Sequence, residues 1–358
     1  MNFLIDYIGY QTNKIKISTY IKNEGGVFLK KRFIIGLLVI VLALLIIIPF
    51  NIFKKQDDNN LTKVRLAEVT HSSFYTPLYV AIEKGYFIDE GLNIELLLTP
   101  GADKVSAAVL SNDVDLGFAG AESVIYVYEA GEKDYLQIVA GLTKRDGQFI
   151  LSREKNTNFK LEDLYGKEIL VGRKTGMPAL NFLNALKKNS INENKIKINY
   201  SVEFAALSGS FIGGVGDYVN LFEPNATSLE MEKQGYVVAS IGLMSDEVPY
   251  TTFYARKSYI DNNQNTISAF VKALDKGIKY TLKNSSEQVA KDIINQFPDT
   301  KVNDLALMID RYKEYDCWLS SPFVSEKLFT NMEEFLSNFD LLNEFIPYRN
   351  LVNNFYNE

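Results

Sequence analysis

The sequence predicts an α/β protein with two lobes, preceded by one apolar segment. Strand-like and helix-like stretches alternate from Thr62 to Ile241, which is typical of layered α/β folds. Several of the strand-like stretches are continuous apolar runs, as in strands that are buried on both faces. The chain has 358 residues, 47% of them hydrophobic and 23% charged, and is long enough to form two lobes with a core each.

The elements of this fold follow in chain order. Strands are predicted at 64–69, 92–98, 115–118, 137–141, 149–152, 168–172, 195–200, 218–222 and 236–241. Helices are predicted between most of them, at 77–84, 104–110, 121–129, 178–188 and 225–233. After one more strand at 251–255, the last third is predicted to be helical, at 266–282, 286–296, 303–315, 325–338 and 349–355.

The first strand, helix and strand have the clearest boundary signals. Pro77 suits the first turn of a helix, and Gly85 suits its C-terminal end. Gly91 then marks a turn into the alternating strand that begins at Leu92. We expect this unit to be scaffold that positions the loops 70–76 and 99–103.

Composition excludes several classes of function. A net charge of −6 and a pI near 5.2 argue against a nucleic-acid-binding protein. With one cysteine, Cys317, the chain has no internal disulfide and no cysteine-based zinc site. His71 is the single histidine, which leaves little for His/Cys metal chemistry, and no cofactor is expected.

Residues 33–53 carry no charge and as a helix would extend ~31 Å, about the thickness of a bilayer core. We predict a transmembrane anchor, with a cleaved signal peptide as the alternative because Lys30, Lys31 and Arg32 precede the run. The basic residues before it place residues 1–32 in the cytoplasm and residues 62–358 outside it. Residues 54–61 are expected to be a tether between the anchor and the body of the protein. The codons for Glu24-Gly25-Gly26 can form a purine-rich ribosome-binding sequence. We therefore hypothesise that translation starts at Leu29 and that residues 1–28 are not translated.

From Val64 onward the chain resembles the type 2 periplasmic solute-binding proteins. Within them it is similar to the group of nitrate, sulfonate, taurine and thiamine-precursor receptors. The pattern KGYF-x-x-EGL-x-x-E at 84–95 carries the resemblance, together with a Gly-Ala block at 101–115, the stretch 117–120 and Glu223-Pro224 before a helix.

The resemblance implies a type 2 fold with a ligand cleft between two α/β lobes and a helical C-terminal part. Lobe 1 would comprise about 62–143 and 250–358, and lobe 2 about 147–245. Such a protein is not an enzyme but a receptor outside the cytoplasm, which closes on a small solute and delivers it to the permease and ATPase subunits of an ABC importer.

Candidate ligand-binding residues lie in small, hydroxylated or glycine-bearing loops at the carboxyl ends of the predicted strands, where helix N-termini offer free N–H groups. Glu223 could accept a hydrogen bond from the ligand or complement the dipole of the helix that follows it. The candidates are Ser72, Ser73, Tyr75, Gly101, Gly120, Ala121, Glu122, Thr143, Arg145, Thr175, Gly176, Met177 and Glu223.

Several alternatives stay open at the level of sequence. Helix N-termini with Lys104, Arg145 or Arg173 nearby would favour an anion such as a sulfonate or nitrate. Glu122 and Glu223, with aromatic residues such as Tyr250, would suit an amino-bearing heterocycle such as an aminopyrimidine. A ligand sensor working with a separate signalling partner is a second class of function. A pyrimidine-precursor synthase of the same fold is a third, although its cysteine-rich motif and histidines do not occur here.

Overall fold

The computed structural model describes residues 61–356, which form two five-stranded sheets. The strands are β1 (Thr62–Glu68), β2 (Leu92–Leu98), β3 (Leu116–Gly120), β4 (Leu136–Thr143), β5 (Phe149–Ser152), β6 (Glu168–Leu170), β7 (Lys197–Asn199), β8 (Tyr218–Leu221), β9 (Tyr236–Ser240) and β10 (Thr251–Arg256). The strand order is β2-β1-β3-β10-β4 in the first sheet and β7-β6-β8-β5-β9 in the second. We call the parts built on these sheets lobe 1 and lobe 2.

Each sheet is mainly parallel but contains one antiparallel strand that follows a crossing between the lobes. β1 runs parallel to β2 and β3, whereas β10 runs antiparallel to both β3 and β4. In lobe 2, β6 is parallel to β7 and β8, and β5 is antiparallel to β8 and β9. The chain enters lobe 2 through 144–148 and returns through 241–250. This arrangement confirms the predicted two-lobe α/β fold of the periplasmic-binding-protein kind.

Helices cover the sheets and make up the C-terminal part. They are α1 (Thr76–Glu83), α2 (Tyr86–Asp89), α3 (Ala102–Leu110), α4 (Glu122–Glu129), α5 (Met177–Lys188), α6 (Leu207–Ile212), α7 (Asn225–Met231), α8 (Ile241–Met244), α9 (Lys257–Asn262), α10 (Gln264–Lys283), α11 (Ser286–Ile293), α12 (Val302–Glu314), α13 (Glu326–Ser337) and α14 (Tyr348–Leu351). α10 packs closely on α1, because Gly277 lets the helices approach where any Cβ would collide with the Pro77 carbonyl.

The structure corrects the predicted turn after α1. Gly85 ends α1 with a φ of 72° and Gly91 precedes β2 with a φ of 79°, as expected of glycines at these positions. Between them, however, the chain forms the short helix α2, in which Phe87 is buried against Phe270 at a ring distance of 5.1 Å. Four residues are too few for a periodic signal, so tertiary packing decides this helix.

The C-terminal helices agree with the prediction except for the last. The helix predicted at 349–355 ends at Leu351, because Val352 turns to extended backbone and pairs with Ile138 of β4. Trp318 binds the C-terminal part to lobe 1, as its indole N–H donates to the Phe74 carbonyl at 2.7 Å. Cys317 is buried beside it.

The predicted anchor at 33–53, the cytoplasmic extension and most of the tether lie outside the described residues. Within 61–356, no helix has both the length and the apolar character needed to cross a membrane.

Candidate functional site

The candidate site lies where helix N-termini of the two lobes face each other. Glu122 begins α4 in lobe 1, after Gly120 and Ala121, and Met177 begins α5 in lobe 2, after Gly176. The Glu122 side chain folds back over Gly120 so closely that no Cβ would fit there. This arrangement brings the predicted segments 120–122 and 176–177 to one place.

Glu122 is buried and its carboxyl group connects the lobes. Burial raises its pKa to about 7; its own N–H, the charge of Arg173 and the N–H of Met177 offset part of that rise. Its Oε2 has no hydrogen-bond partner within residues 61–356. The N–H groups at both helix N-termini therefore favour the charged form of Glu122, and its Oε2 stays available for another donor.

A second buried carboxyl group, Asp146, lies in the first crossing between the lobes. Its Oδ1 accepts a hydrogen bond from the Gln148 N–H at 2.6 Å. Burial raises its pKa to about 8, offset in part by that N–H and by the hydroxyl of Tyr250. Burial raises the pKa of Tyr250, and the charges of Asp146, Tyr75 and Glu122 raise it further.

The loop 72–75 contributes hydroxyl groups. Ser72 donates its hydroxyl hydrogen to the Glu223 carbonyl, a contact between the lobes, and accepts from the Phe74 N–H at 3.2 Å. Ser73 is fully buried, and its Oγ finds no partner among the described residues. Burial raises the pKa of Tyr75, whose hydroxyl is hydrogen-bonded to Thr251, so this phenol is neutral at ordinary pH.

Aromatic rings surround these polar groups. Phe74 lies 5.5 Å from Phe222 of lobe 2 and 5.9 Å from Tyr250, measured between ring centroids. Phe204, which is partly exposed, lies 5.7 Å from Phe222 and extends the aromatic surface outward. Gly147 allows Phe74 into this position, since a Cβ there would lie 2.5 Å from the ring.

Three of the predicted site residues already have partners in the structure. The Thr143 Oγ1 accepts from the Thr251 N–H at 3.0 Å, and Arg145 forms an ion pair with Glu247. The Glu223 carboxylate accepts from the N–H and hydroxyl of Thr227 at 2.8 and 2.9 Å, and from Arg311 at 2.9 Å. Both Glu223 oxygens thus have partners, in the helix that follows and in Arg311 of α12.

The remaining predicted residues lie at the rim. Gly101 precedes α3 and is partly exposed, and Thr175 is exposed in the loop before α5. Between these loops Arg173 forms an ion pair with Asp103 at 3.1 Å, with both side chains about half exposed. The rim therefore adds one solvated contact between the lobes.

Sequence reasoning did not identify Asp146, Gln148 and Asn220 as site residues. All three side chains are fully buried, and each has at least one polar atom without a partner in residues 61–356. None belongs to a motif or a regular spacing, and only the burial of polar groups beside Glu122 and Tyr250 reveals them. None of the lysines or arginines in 61–356 is buried.

The sequence is similar to a described protein family and to two named proteins. Residues 73–288 match the family described as NMT1/THI5 like. YtlA of Bacillus subtilis (strain 168) is 38% identical over 86% of this chain and 92% of its own length. The formylaminopyrimidine-binding protein of Halalkalibacterium halodurans is 19% identical, covering 82% of this chain and 98% of that protein.

Solved structures show the same fold. The alkanesulfonate-binding protein SsuA from Xanthomonas axonopodis pv. citri, bound to MOPS, superposes with a TM-score of 0.64 at 16% identity. The match covers 82% of this chain and 98% of that one.

Proposed function

The chain belongs to the NMT1/THI5-like family of binding proteins, and on that premise we propose that it captures a small amino-bearing heterocycle for an ABC importer. At the level of the family it is a substrate-binding protein of an ABC-type import system, as the resemblance to type 2 solute-binding proteins implied. The permease and ATPase subunits of that importer are its partners. The solute itself is the new part of the proposal.

One observation supports this solute class: the carboxyl groups of Glu122 and Asp146 are buried, whereas no lysine or arginine within residues 61–356 is buried. An anionic ligand would face these carboxyls, and the N–H groups at the two helix N-termini already act on Glu122. A ligand with amino groups instead donates to the free oxygens, so the acids can ionise at lower cost. The rings of Phe74, Phe222 and Tyr250 suit a planar heterocycle. The relative that binds formylaminopyrimidine supports the same solute class.

The structure also suggests how the solute would be enclosed. Contacts between the lobes include those of Ser72 with the Glu223 carbonyl, of Arg173 with Asp103 and of Arg311 with Glu223. These contacts all lie around the cleft, and hinge closure about 144–148 and 241–250 would make and break them together. Enclosure would remove the solute from water, which strengthens its hydrogen bonds to the carboxyl groups.

Titration calorimetry on the full-length chain in detergent tests the solute class. We expect 4-amino-2-methylpyrimidine to bind and methanesulfonate not to bind. Glu122→Gln should weaken binding of the aminopyrimidine about 10- to 100-fold, as expected when a charged hydrogen-bond partner is lost. Glu129→Gln, at the exposed far end of α4, is the matched control and should bind like the wild type. Binding of methanesulfonate but not of the aminopyrimidine would show that the solute is an anion.

We further propose that residues 33–53 hold the receptor in the cell membrane by a single span, with the binding domain outside the cytoplasm. The absence of charge over this run supports an anchor. N-terminal sequencing of the protein from isolated membranes tests it, because a mature start near Asp57 would indicate a cleaved signal peptide.

A further inference from the structure

Two buried amide side chains in lobe 2, Gln148 and Asn220, have no hydrogen-bond partner in the part of the chain that the structure describes. Both side chains are fully buried, and both the nitrogen and the oxygen of each amide are unsatisfied. Buried polar groups in proteins are almost always paired, since each unpaired group keeps its full desolvation cost. Four such atoms, on β8 and on the residue that precedes β5, therefore require an explanation.

Strand register places the two amides on one face of the second sheet. Asn220 is paired with Ile150, and Leu221 with Phe149, in an antiparallel ladder. Gln148, two residues before Ile150, therefore lies on the same face as Asn220 and diagonal to it, at about 7–8 Å between backbones. Two side chains at that separation can both reach the edge of one small ring.

Both residues lie beside groups of the site already described. The backbone N–H of Gln148 donates to Asp146 Oδ1, so this residue and the buried acid are neighbours. Phe222 follows Asn220 by two residues, just beyond the end of β8, and its ring packs against Phe74 at 5.5 Å and lies 6.4 Å from Tyr250. The unsatisfied amides thus adjoin both the buried acids and the aromatic rings.

We propose that Gln148 and Asn220 form a ligand subsite. Their side-chain amides would form hydrogen bonds with the edge of the ligand ring where an N–H donor lies beside a nitrogen acceptor. A primary amide presents an acceptor oxygen and a donor NH2 side by side, which is the complement of such an edge. Asn and Gln recognise the amino and ring-nitrogen edge of adenine in the same bidentate manner. A sulfonate or nitrate offers only acceptors and would leave both amide oxygens unpaired. The inference deepens the proposed function and rests on it.

Two matched probes test the subsite on the full-length chain by titration calorimetry. 4-Amino-2-methylpyrimidine carries the donor–acceptor edge, and 4-dimethylamino-2-methylpyrimidine keeps the ring but lacks the donor. We expect the wild type to prefer the first probe by about 10- to 100-fold, as for a bidentate contact with a base edge. Asn220→Leu and Gln148→Met should lose most of this preference, and Asn220→Ser provides a smaller, polar second variant.

Folding stability supplies an independent readout. Because their amides are unsatisfied, apolar replacements of similar shape at Gln148 and Asn220 should leave the urea midpoint unchanged or raise it. Asn184 is the control, since its buried amide donates to Ser245 Oγ at 3.0 Å and to Asp246 at 2.8 Å. Asn184→Leu should lower the midpoint and leave the probe preference intact.

The possible results separate the two proposals. If the wild type discriminates between the probes and the variants discriminate equally well, the subsite is wrong while the proposed function stands. If the variants at Gln148 and Asn220 lower the midpoint as Asn184→Leu does and keep the preference, these amides are structural. If the wild type binds neither pyrimidine, the proposed solute class is wrong and the subsite with it.

Discussion

Replacing Glu122 with glutamine is expected to reduce the pH dependence of folding stability. Burial raises the pKa of this carboxyl from 4.5 to about 7. Between those values the folded chain keeps a proton that the unfolded chain has released, so its contribution to stability is complete below pH 4.5 and falls as the pH rises toward 7. At 1.36 kcal/mol per pH unit, the wild type should lose roughly 2–3 kcal/mol between pH 5 and pH 8 through this group.

Urea unfolding at pH 5 and pH 8, followed by the fluorescence of the buried Trp318, measures this loss. Glu122→Gln carries no titrating group at the position and should lose about 2–3 kcal/mol less than the wild type over the same range. Asp146 titrates in the same direction, with its pKa raised to about 8, so part of the pH dependence remains in the variant. Glu129→Gln should follow the wild type. Parallel pH profiles for Glu122→Gln and the wild type would refute the buried, protonated state of Glu122.

Three further predictions concern other contacts. Arg311→Met leaves the buried Glu223 carboxylate without its cation and should lower the free energy of unfolding in urea by about 3–5 kcal/mol. The double variant Arg311→Met/Glu223→Gln should recover a large part of that loss. Equal losses in the single and the double variant would contradict a stabilising ion pair between Arg311 and Glu223. Burial lowers the pKa of His71, but the hydrogen bond and charge of Glu68 outweigh it and raise the pKa above 6.5. The stability that the contact between His71 and Glu68 provides should be complete below pH 6.5 and decline as the pH rises through the pKa of the folded state. An NMR titration of this histidine that gives a pKa below 6.5 would disprove the prediction. Arg173→Ala removes a half-exposed ion pair between the lobes and should change the affinity for the aminopyrimidine by less than about fivefold. The change should be smaller still in high salt, which screens exposed charges. A larger loss of affinity that does not depend on salt would mean that Arg173 contacts the ligand directly.

The sequence predicts most of the regular elements because their signals are local. Apolar runs mark strands such as β4 and β10, and periodic apolar positions mark α10, where Ile267 and Phe270 are buried as expected. The short helices α2 and α6 were not predicted, since so few residues carry no periodicity. The C-terminal end of α14 depends on a contact with β4, which lies far away in the sequence.

The site was harder to predict, because its chemistry depends on pairing between distant residues. Hydroxyl and carboxyl groups at strand ends suit ligands and also suit helix caps, so the sequence could not show that Glu223 would be taken up by Thr227 and Arg311. Asn220 occupies an ordinary strand, and Gln148 follows a crossing, without any motif. That both amides are buried, and lack a partner within residues 61–356, is a property of the folded chain.

The central claim is that the cleft takes a ligand with amino groups. Thermal unfolding of the full-length chain in the presence of 4-amino-2-methylpyrimidine, methanesulfonate or nitrate tests it most directly. A ligand at about 100 times its dissociation constant stabilises the folded state by roughly 2.7 kcal/mol, which is a clear rise in Tm. We expect that rise with the aminopyrimidine and none with either anion. A rise with methanesulfonate or nitrate, and none with the aminopyrimidine, would contradict the role assigned to Glu122 and Asp146.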